Sequence, residues 1–242
     1  MLRRSSRLSV LVLALILMES VSAHAGVLAQ GSTVEGKTIA EWTGEWWNWL
    51  VKEPFETNAQ ADPTGEHANR NQSGPVFFVA GSFGGPVERT FTVPTGKYLL
   101  VPMIPYVFWA PEDGADEAAI RALAASNVDA IESPYFELDG VLLADPKSYR
   151  EASPPGGFTL SDSPLLRQLG LPAMDRLAVA DGYWAMLEPL TAGEHTIRFG
   201  GMQPGQPDTD GVLHITAVPE PGTFALLGVL GGIWFIRRKR SR

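Results

Sequence analysis

The sequence predicts a mainly β fold of α+β type: an antiparallel β-sandwich with an N-terminal Trp-rich helix and helical insertions, plus a C-terminal transmembrane helix. Three observations carry this reading. Between Tyr183 and Thr216 the chain holds short β-branched and aromatic runs at regular spacing, divided by turn residues. Large apolar residues recur at helical spacing around Trp42–Leu50. Both ends of the 242-residue chain are apolar runs flanked by arginine, unlike the polar and acidic body between them.

The N-terminal end reads as a signal peptide over residues 1–25. Arg3, Arg4 and Arg7 precede the apolar stretch Leu8–Met18, and Ala23-His24-Ala25 then supplies the small residues that signal peptidase requires, so Ala23 and Ala25 mark the cut. Gly26 is the expected new N-terminus, with a second site after Ala29 as the alternative. Glu19 interrupts the apolar run, which leaves it too short for a permanent span. The globular body is expected over residues 26–217, outside the cytoplasmic membrane.

Removing the two ends changes the charge. The whole chain has 19 Lys+Arg against 27 Asp+Glu, but eight of the basic residues lie in the ends. The body keeps 11 basic and 25 acidic residues, about −14 in formal charge. Such a body repels phosphate backbones and anionic lipid, which disfavours nucleic acid as a partner. Acidic polysaccharides are repelled too unless divalent cations bridge them, whereas neutral glycans meet no barrier. Cysteine is absent, so there is no disulfide, thiolate metal site or thiol nucleophile.

Within the body, Thr38-Ile39-Ala40-Glu41 has capping-box spacing, and Ile39, Trp42, Trp46, Trp49 and Leu50 follow as one helical stripe closed by Pro54. A polar loop runs from about Glu56 to Gly74. Val76–Phe83 and Val87–Val93 read as strands of a hairpin turned by Gly84-Gly85-Pro86. Lys97 to Trp109 is a third strand, in which Pro102 and Pro105 call for an edge or a bulge. Asp116 caps a helix to about Ile131. Tyr135–Leu138 and Val141–Leu143 flank Asp139-Gly140, a preferred two-residue hairpin turn. Ser163-Pro164 opens a short helix ending near Gly170. Tyr183–Glu188, His195–Phe199 and Val212–Thr216 complete the strands.

At the C-terminus, Val218-Pro219-Glu220-Pro221 and Gly222 lead into an apolar run from Thr223 to Ile236, followed by Arg237-Arg238-Lys239-Arg240-Ser241-Arg242. As a helix the run is about 21 Å long, short against the roughly 20 residues of a full span, so crossing requires Arg237 and Arg238 to snorkel. The basic residues Arg237, Arg238, Lys239 and Arg240 act as a membrane stop that keeps the C-terminus cytoplasmic. The prolines hold the preceding backbone extended, as a protease requires. This three-part tail, residues 218–242, resembles the PEP-CTERM sorting signal of Gram-negative exopolysaccharide producers. The resemblance implies that an exosortase-like membrane protease cuts the tail. The expected course is a single-pass membrane-anchored precursor, exported and then delivered to the cell surface or extracellular matrix. In the body, Gly74–Gly81 with Val93–Lys97, and Asp181–Trp184 with Gly193–Gly201, resemble a widespread group of exported bacterial domains to which no activity is assigned. That likeness implies one exported domain and no mechanism.

Candidate chemistry in the body is sparse. Flat tryptophan rings match sugar faces, but Trp42, Trp46 and Trp49 share the stripe expected to pack the core. Trp47 lies off it and is the candidate for a glycan contact. Trp109 and Trp184 fall in strands and read as core. His195 and His214 sit in strands expected to pair, as neighbours on one face, but no H-x-H or H-E-x-x-H spacing is present and no metal is expected. Asp208-Thr209-Asp210-Gly211 starts like a calcium loop without its closing glutamate and reads as a turn. Nucleophile-elbow, P-loop and dinucleotide-binding patterns are absent, so no catalytic residue and no cofactor is expected. Three functions remain: a noncatalytic envelope or matrix protein associated with exopolysaccharide, a carbohydrate-binding module with exposed aromatics, and an exported polysaccharide hydrolase or lyase with two acids converging in a cleft.

Overall fold

The structure is a computed structural model that describes residues 26–219. The chain enters through a small hairpin, β1 (Thr33–Val34) and β2 (Lys37–Thr38), whose Glu35-Gly36 turn takes positive φ at both positions. Thr38 then caps α1 (Ile39–Leu50): its hydroxyl accepts from Glu41 N at 3.2 Å, and the Glu41 carboxylate accepts from Thr38 N at 2.7 Å. The capping box and the buried stripe stand where the sequence predicts them.

The remaining elements, in chain order, are β3 (Val76–Phe78), β4 (Gly85–Pro94), β5 (Tyr98–Trp109), α2 (Glu117–Asp129), β6 (Glu132–Leu138) and β7 (Val141–Leu142). They continue with β8 (Arg150–Ala152), β9 (Phe158–Leu160), α3 (Pro164–Gln168), β10 (Arg176–Leu187), β11 (Gly193–Met202) and β12 (Thr209–Val218). One sheet has the order β3-β5-β10-β8 with β9 also on β10, and the other β4-β12-β11-β6-β7.

The two sheets face each other over a core that includes Phe77, Leu99, Val101, Ala185, Ile197, Phe199, Leu213 and Ile215. The opposite side of the first sheet is also covered. Val76, Phe78, Leu100, Trp184 and Met186 pack there against Trp42, Trp46 and Trp49 of α1. The protein is therefore three layers deep along this stretch: helix, sheet, sheet. Double coverage explains why Val76–Phe78 is buried at every position instead of alternating.

Three expectations need correction. The sheets are mixed, because β3 runs parallel to β5 and β4 parallel to β12. The expected hairpin of Val76–Phe83 with Val87–Val93 does not form: β3 ends at Phe78, and Gly84 and Gly85, at φ of 96° and 84°, carry the chain across to the other sheet. Pro102 and Pro105 bear out the expected bulge, on an interior strand: Tyr183 pairs with Ile104 while Trp184 pairs with Pro102, leaving Met103 as the extra residue. β3 tolerates them because its ladder along β5 reaches only to Leu100.

The third correction concerns the histidines. His195 pairs with Ile215 and Thr196 with His214, a register offset by one residue. His195 therefore shares a face with buried Ile197, and His214 points to the other side. The Asp139-Gly140 hairpin forms as predicted, with φ of 51° and 81° in the turn and Leu138 opposite Val141. The Asp116 and Ser163 caps are likewise in place, accepting from Ala119 N and Leu166 N. Among the described residues no helix is long and apolar enough to cross a membrane. The apolar run from Thr223 to Ile236, the basic stop Arg237–Arg240 and the cleavage residues Ala23 and Ala25 lie outside them.

Candidate functional site

The ends of the described chain meet at one end of the sandwich. Val27 bridges to Leu187, Gly26 N donates to the Glu188 carboxylate at 3.0 Å, and Thr95 N donates to Val218 O at 2.8 Å. Gly193, where β11 begins after β10, pairs with Ala217 at this same end. Strand β12 then runs from Val218 back to Thr209, about 30 Å away at ~3.3 Å per residue.

A cleft of about 280 Å³ opens around Thr209, at the end remote from the tail. That volume lies at the lower edge of the roughly 300–1,000 Å³ typical of small-molecule sites. Trp47 of α1 lines one part, Gln60 and the Gly81–Gly84 crossing another, and Met103 to Tyr106 at the β5 bulge a third. Gly201 and the β11–β12 turn, with Gln203, Gln206 and Pro207, close the ring. Among the described residues no charged side chain lines it.

The wall around Gln60 and Gly81 is set by a buried cation. Arg89 of β4, 3% exposed, donates from Nε to Asp62 O at 2.6 Å and from Nη2 to Gln60 O at 2.9 Å. Its Nη1 donates to Ala80 O at 3.0 Å and Gly81 O at 2.6 Å. One side chain thus satisfies four carbonyls of two loop segments that otherwise share little regular structure. Burial pushes the Arg89 guanidinium down to about 10, partly offset by the nearby Asp62 carboxylate, so it remains charged at neutral pH. Asp62 in turn accepts from Thr64 N, the Thr64 hydroxyl and His67 N. Ser82, in the crossing, accepts from Gly84 N and donates to Gly85 O.

Three polar atoms of the cleft residues are buried and have no partner within the protein: Trp47 Nε1, Gln60 Oε1 and Gln203 Oε1. The orientation of the Gln60 amide is fixed, because Nε2 donates to Ser82 O at 3.0 Å. Leaving a buried polar atom unpaired costs about 1–3 kcal/mol, so three at one place is a costly concentration for a fold. The other two such atoms among the described residues, Nε1 of Trp109 and Trp184, belong to indoles elsewhere in the sheets. Aromatic residues Tyr106 and Phe83 also line the cleft. Tyr106 stacks parallel to Phe108 with centroids 6.2 Å apart, and Phe83, 57% exposed, lies 5.8 Å from Phe55 at the rim.

The other sequence candidates fall away from the cleft. Trp42, Trp46 and Trp49 are core, and Trp184 packs edge-on against Trp46 at 5.3 Å. Trp109 is half-buried beside Val51 and Leu165. His195 pairs with Asp139 at 2.7 Å and with Thr191 O, and His214 pairs with Glu88 at 2.9 Å. Among the described residues no three metal-ligating side chains converge. Asp210 accepts from the Tyr135 hydroxyl.

The buried acids form a separate group. Arg150 grips Asp181 through Nε and Nη2 at 2.9 and 2.6 Å, while burial pushes the neighbouring Glu151 carboxyl up. Arg89 and Gln60 are not among the sequence candidates. The signal for Arg89 is present: it stands in phase with inward-facing Phe91 and Val93, so period two puts it in the core. Gln60, in a polar loop, gave none.

At the tail end, Val218 closes β12 opposite Pro94 and is 40% exposed. Pro219 follows it half-buried, and Glu220 and Pro221 lie outside the described residues. Residues 217–240 match the PEP-CTERM protein-sorting motif. The PEP-CTERM motif marks an exported, membrane-anchored precursor that an exosortase membrane enzyme processes and sorts to the cell surface. It covers the tail and leaves the body unassigned. No curated protein and no solved structure matches the chain.

Proposed function

We propose that the chain is a noncatalytic envelope or extracellular-matrix protein associated with exopolysaccharide, whose exported body binds through the cleft opposite its tail. Signal peptidase cuts after Ala25, and the exosortase cuts near Val218-Pro219-Glu220-Pro221. The basic stop Arg237–Arg240 holds the precursor until then. The observation that carries this reading is the polarity of the molecule: the sorting tail departs at Val218, and the uncharged cleft lies about 30 Å away at the other end of β12. A precursor tethered by its tail presents that cleft to the extracellular space.

The cleft also favours binding over hydrolysis. Glycosidic cleavage by the common route needs two carboxyl groups flanking the bond. The acidic pair nearest to that description, Glu151 and Asp181, belongs to the separate group held by Arg150. The test is the intact mass and location of the protein in cells with and without the exosortase. Loss of the segment after about Pro221, dependent on the enzyme, with the body recovered in the surface or matrix fraction, is the expected result. A mass that retains Arg242 in both strains overturns the sorting, and the tail is then a plain anchor.

A further inference from the structure

We propose that Glu188 is the docking site for the protein's own mature N-terminus: the cut after Ala25 turns the Gly26 amide into an α-ammonium, which the Glu188 carboxylate holds as an ion pair. The proposal rests on the reading that signal peptidase cuts there, and it adds what the fold does with the new end.

Residues 26–28 already belong to the fold. Val27 bridges antiparallel to Leu187, Leu28 N donates to Met186 O at 2.8 Å, and Glu188 N donates to Gly26 O at 2.9 Å. The segment runs along the edge of β10 that β8 leaves free, since β8 pairs only with Asp181, Gly182 and Tyr183. Val27 packs on the core between the sheets, and Leu28 on the core under α1. A cut after Ala29 would strip away both contacts, whereas a cut after Ala25 leaves the segment whole and ends the chain at its first hydrogen-bonded residue.

Glu188 stands ready for that end. Its carboxylate accepts from Gly26 N at 3.0 Å, and among the described residues it takes part in no ion pair. Glycine lets it come this close, because a Cβ at position 26 would lie 3.1 Å from Glu188 Oε2. In the cut, water adds across the Ala25–Gly26 peptide bond, leaving a carboxylate on Ala25 and an amine on Gly26 that takes up a proton at neutral pH. A bond from a neutral amide donor thus becomes a bond from a cation to an anion, which is roughly twice as strong. The cut itself therefore tightens the short strand that covers both cores at the tail end.

The test uses the exported protein recovered from the producing cells, with its N-terminus read by mass spectrometry. The α-amine is then acylated with limiting acetic anhydride at pH 7, in the starting protein and in Glu188→Gln, which keeps an oxygen acceptor and removes the charge. Only the neutral amine reacts, so a carboxylate that keeps it protonated slows the reaction. The chain is expected to begin at Gly26, and its α-amine to react about two- to fivefold more slowly than in Glu188→Gln. The exposed Lys52 should react alike in both and serves as the reference. A chain that begins at Gln30, or one that keeps residues 1–25, overturns the reading of the cut and the docking site with it. A chain that begins at Gly26 and reacts equally fast in both proteins overturns the docking site alone.

Discussion

The four tryptophans of α1 divide three to one. Trp42, Trp46 and Trp49 each bury the ring against the first sheet or its neighbouring loops and give the indole proton to a backbone carbonyl: Val34 O at 3.0 Å, Val79 O at 2.8 Å and Arg70 O at 2.9 Å. Trp47 stands edge-on to Trp46 at 4.8 Å, half-buried, with its Nε1 unpaired. The same residue type on the same helix thus fastens the fold on one face and meets an open cleft on the other. On α1 the completed hydrogen bonds belong to the tryptophans that hold the first sheet, but an unpaired indole alone does not mark a ligand contact, since Trp184 Nε1 is unpaired in the core.

The largest effect should separate these roles by stability. Trp46→Ala removes a ring with 0% exposure and its bond to Val79 O, and should cost about 3–5 kcal/mol in urea unfolding. Trp47→Ala should cost less than half of that. Equal losses would make Trp47 another core residue and dissolve the comparison.

Arg89→Met asks whether the cleft wall is held separately from the core. Four carbonyls lose their donor, which should cost about 2–4 kcal/mol and free the segments around Gln60 and Gly81. Hydrogen exchange should rise first in those segments and stay low in β10 and β11. Uniform exchange across both sheets would show that the wall and core unfold as one.

A finer contrast removes only the indole donor. Trp42→Phe strands Val34 O and should lower stability by about 1–3 kcal/mol. Trp47→Phe strands nothing and should leave stability within about 0.5 kcal/mol of the starting protein.

The smallest effect is a pH dependence at the cleft wall. Burial pushes the Asp62 carboxyl up, but hydrogen bonds from His67 N, Thr64 N and the Thr64 hydroxyl outweigh it and hold it below its ordinary value of 3.8. A lowered folded value means that the stabilisation is fully present above the unfolded value and is lost as pH falls through the folded one. Asp62→Asn should therefore be less stable than the starting protein at pH 7, with the gap closing below about pH 4. A gap that stays constant down to pH 2 would mean that the bonds do not depend on the charge.

The parts legible in the sequence were those written locally. The Thr38 capping box, the Trp stripe, the Asp139-Gly140 turn and the Asp116 and Ser163 caps each lie within a few residues of chain. The antiparallel neighbours β6 with β7 and β11 with β12 were legible too, but the parallel partners were not, because β3 and β4 join strands that do not adjoin them in the chain and nothing in Val76–Phe83 encodes which sheet receives it. The cleft is non-local in the same way: Trp47, Gln60, Tyr106 and Gln203 come from four separate segments, and only Trp47 gave a signal, by standing off the helical stripe.

The most direct measurement is the nitrogen–proton spectrum of the indole groups as neutral polysaccharide is added. The Trp47 indole resonance is expected to shift as its ring is contacted in the cleft while those of Trp42, Trp46 and Trp49 stay fixed. A Trp47 resonance that does not respond to the polysaccharide, or a shift shared equally by all four indoles, would contradict binding through the cleft.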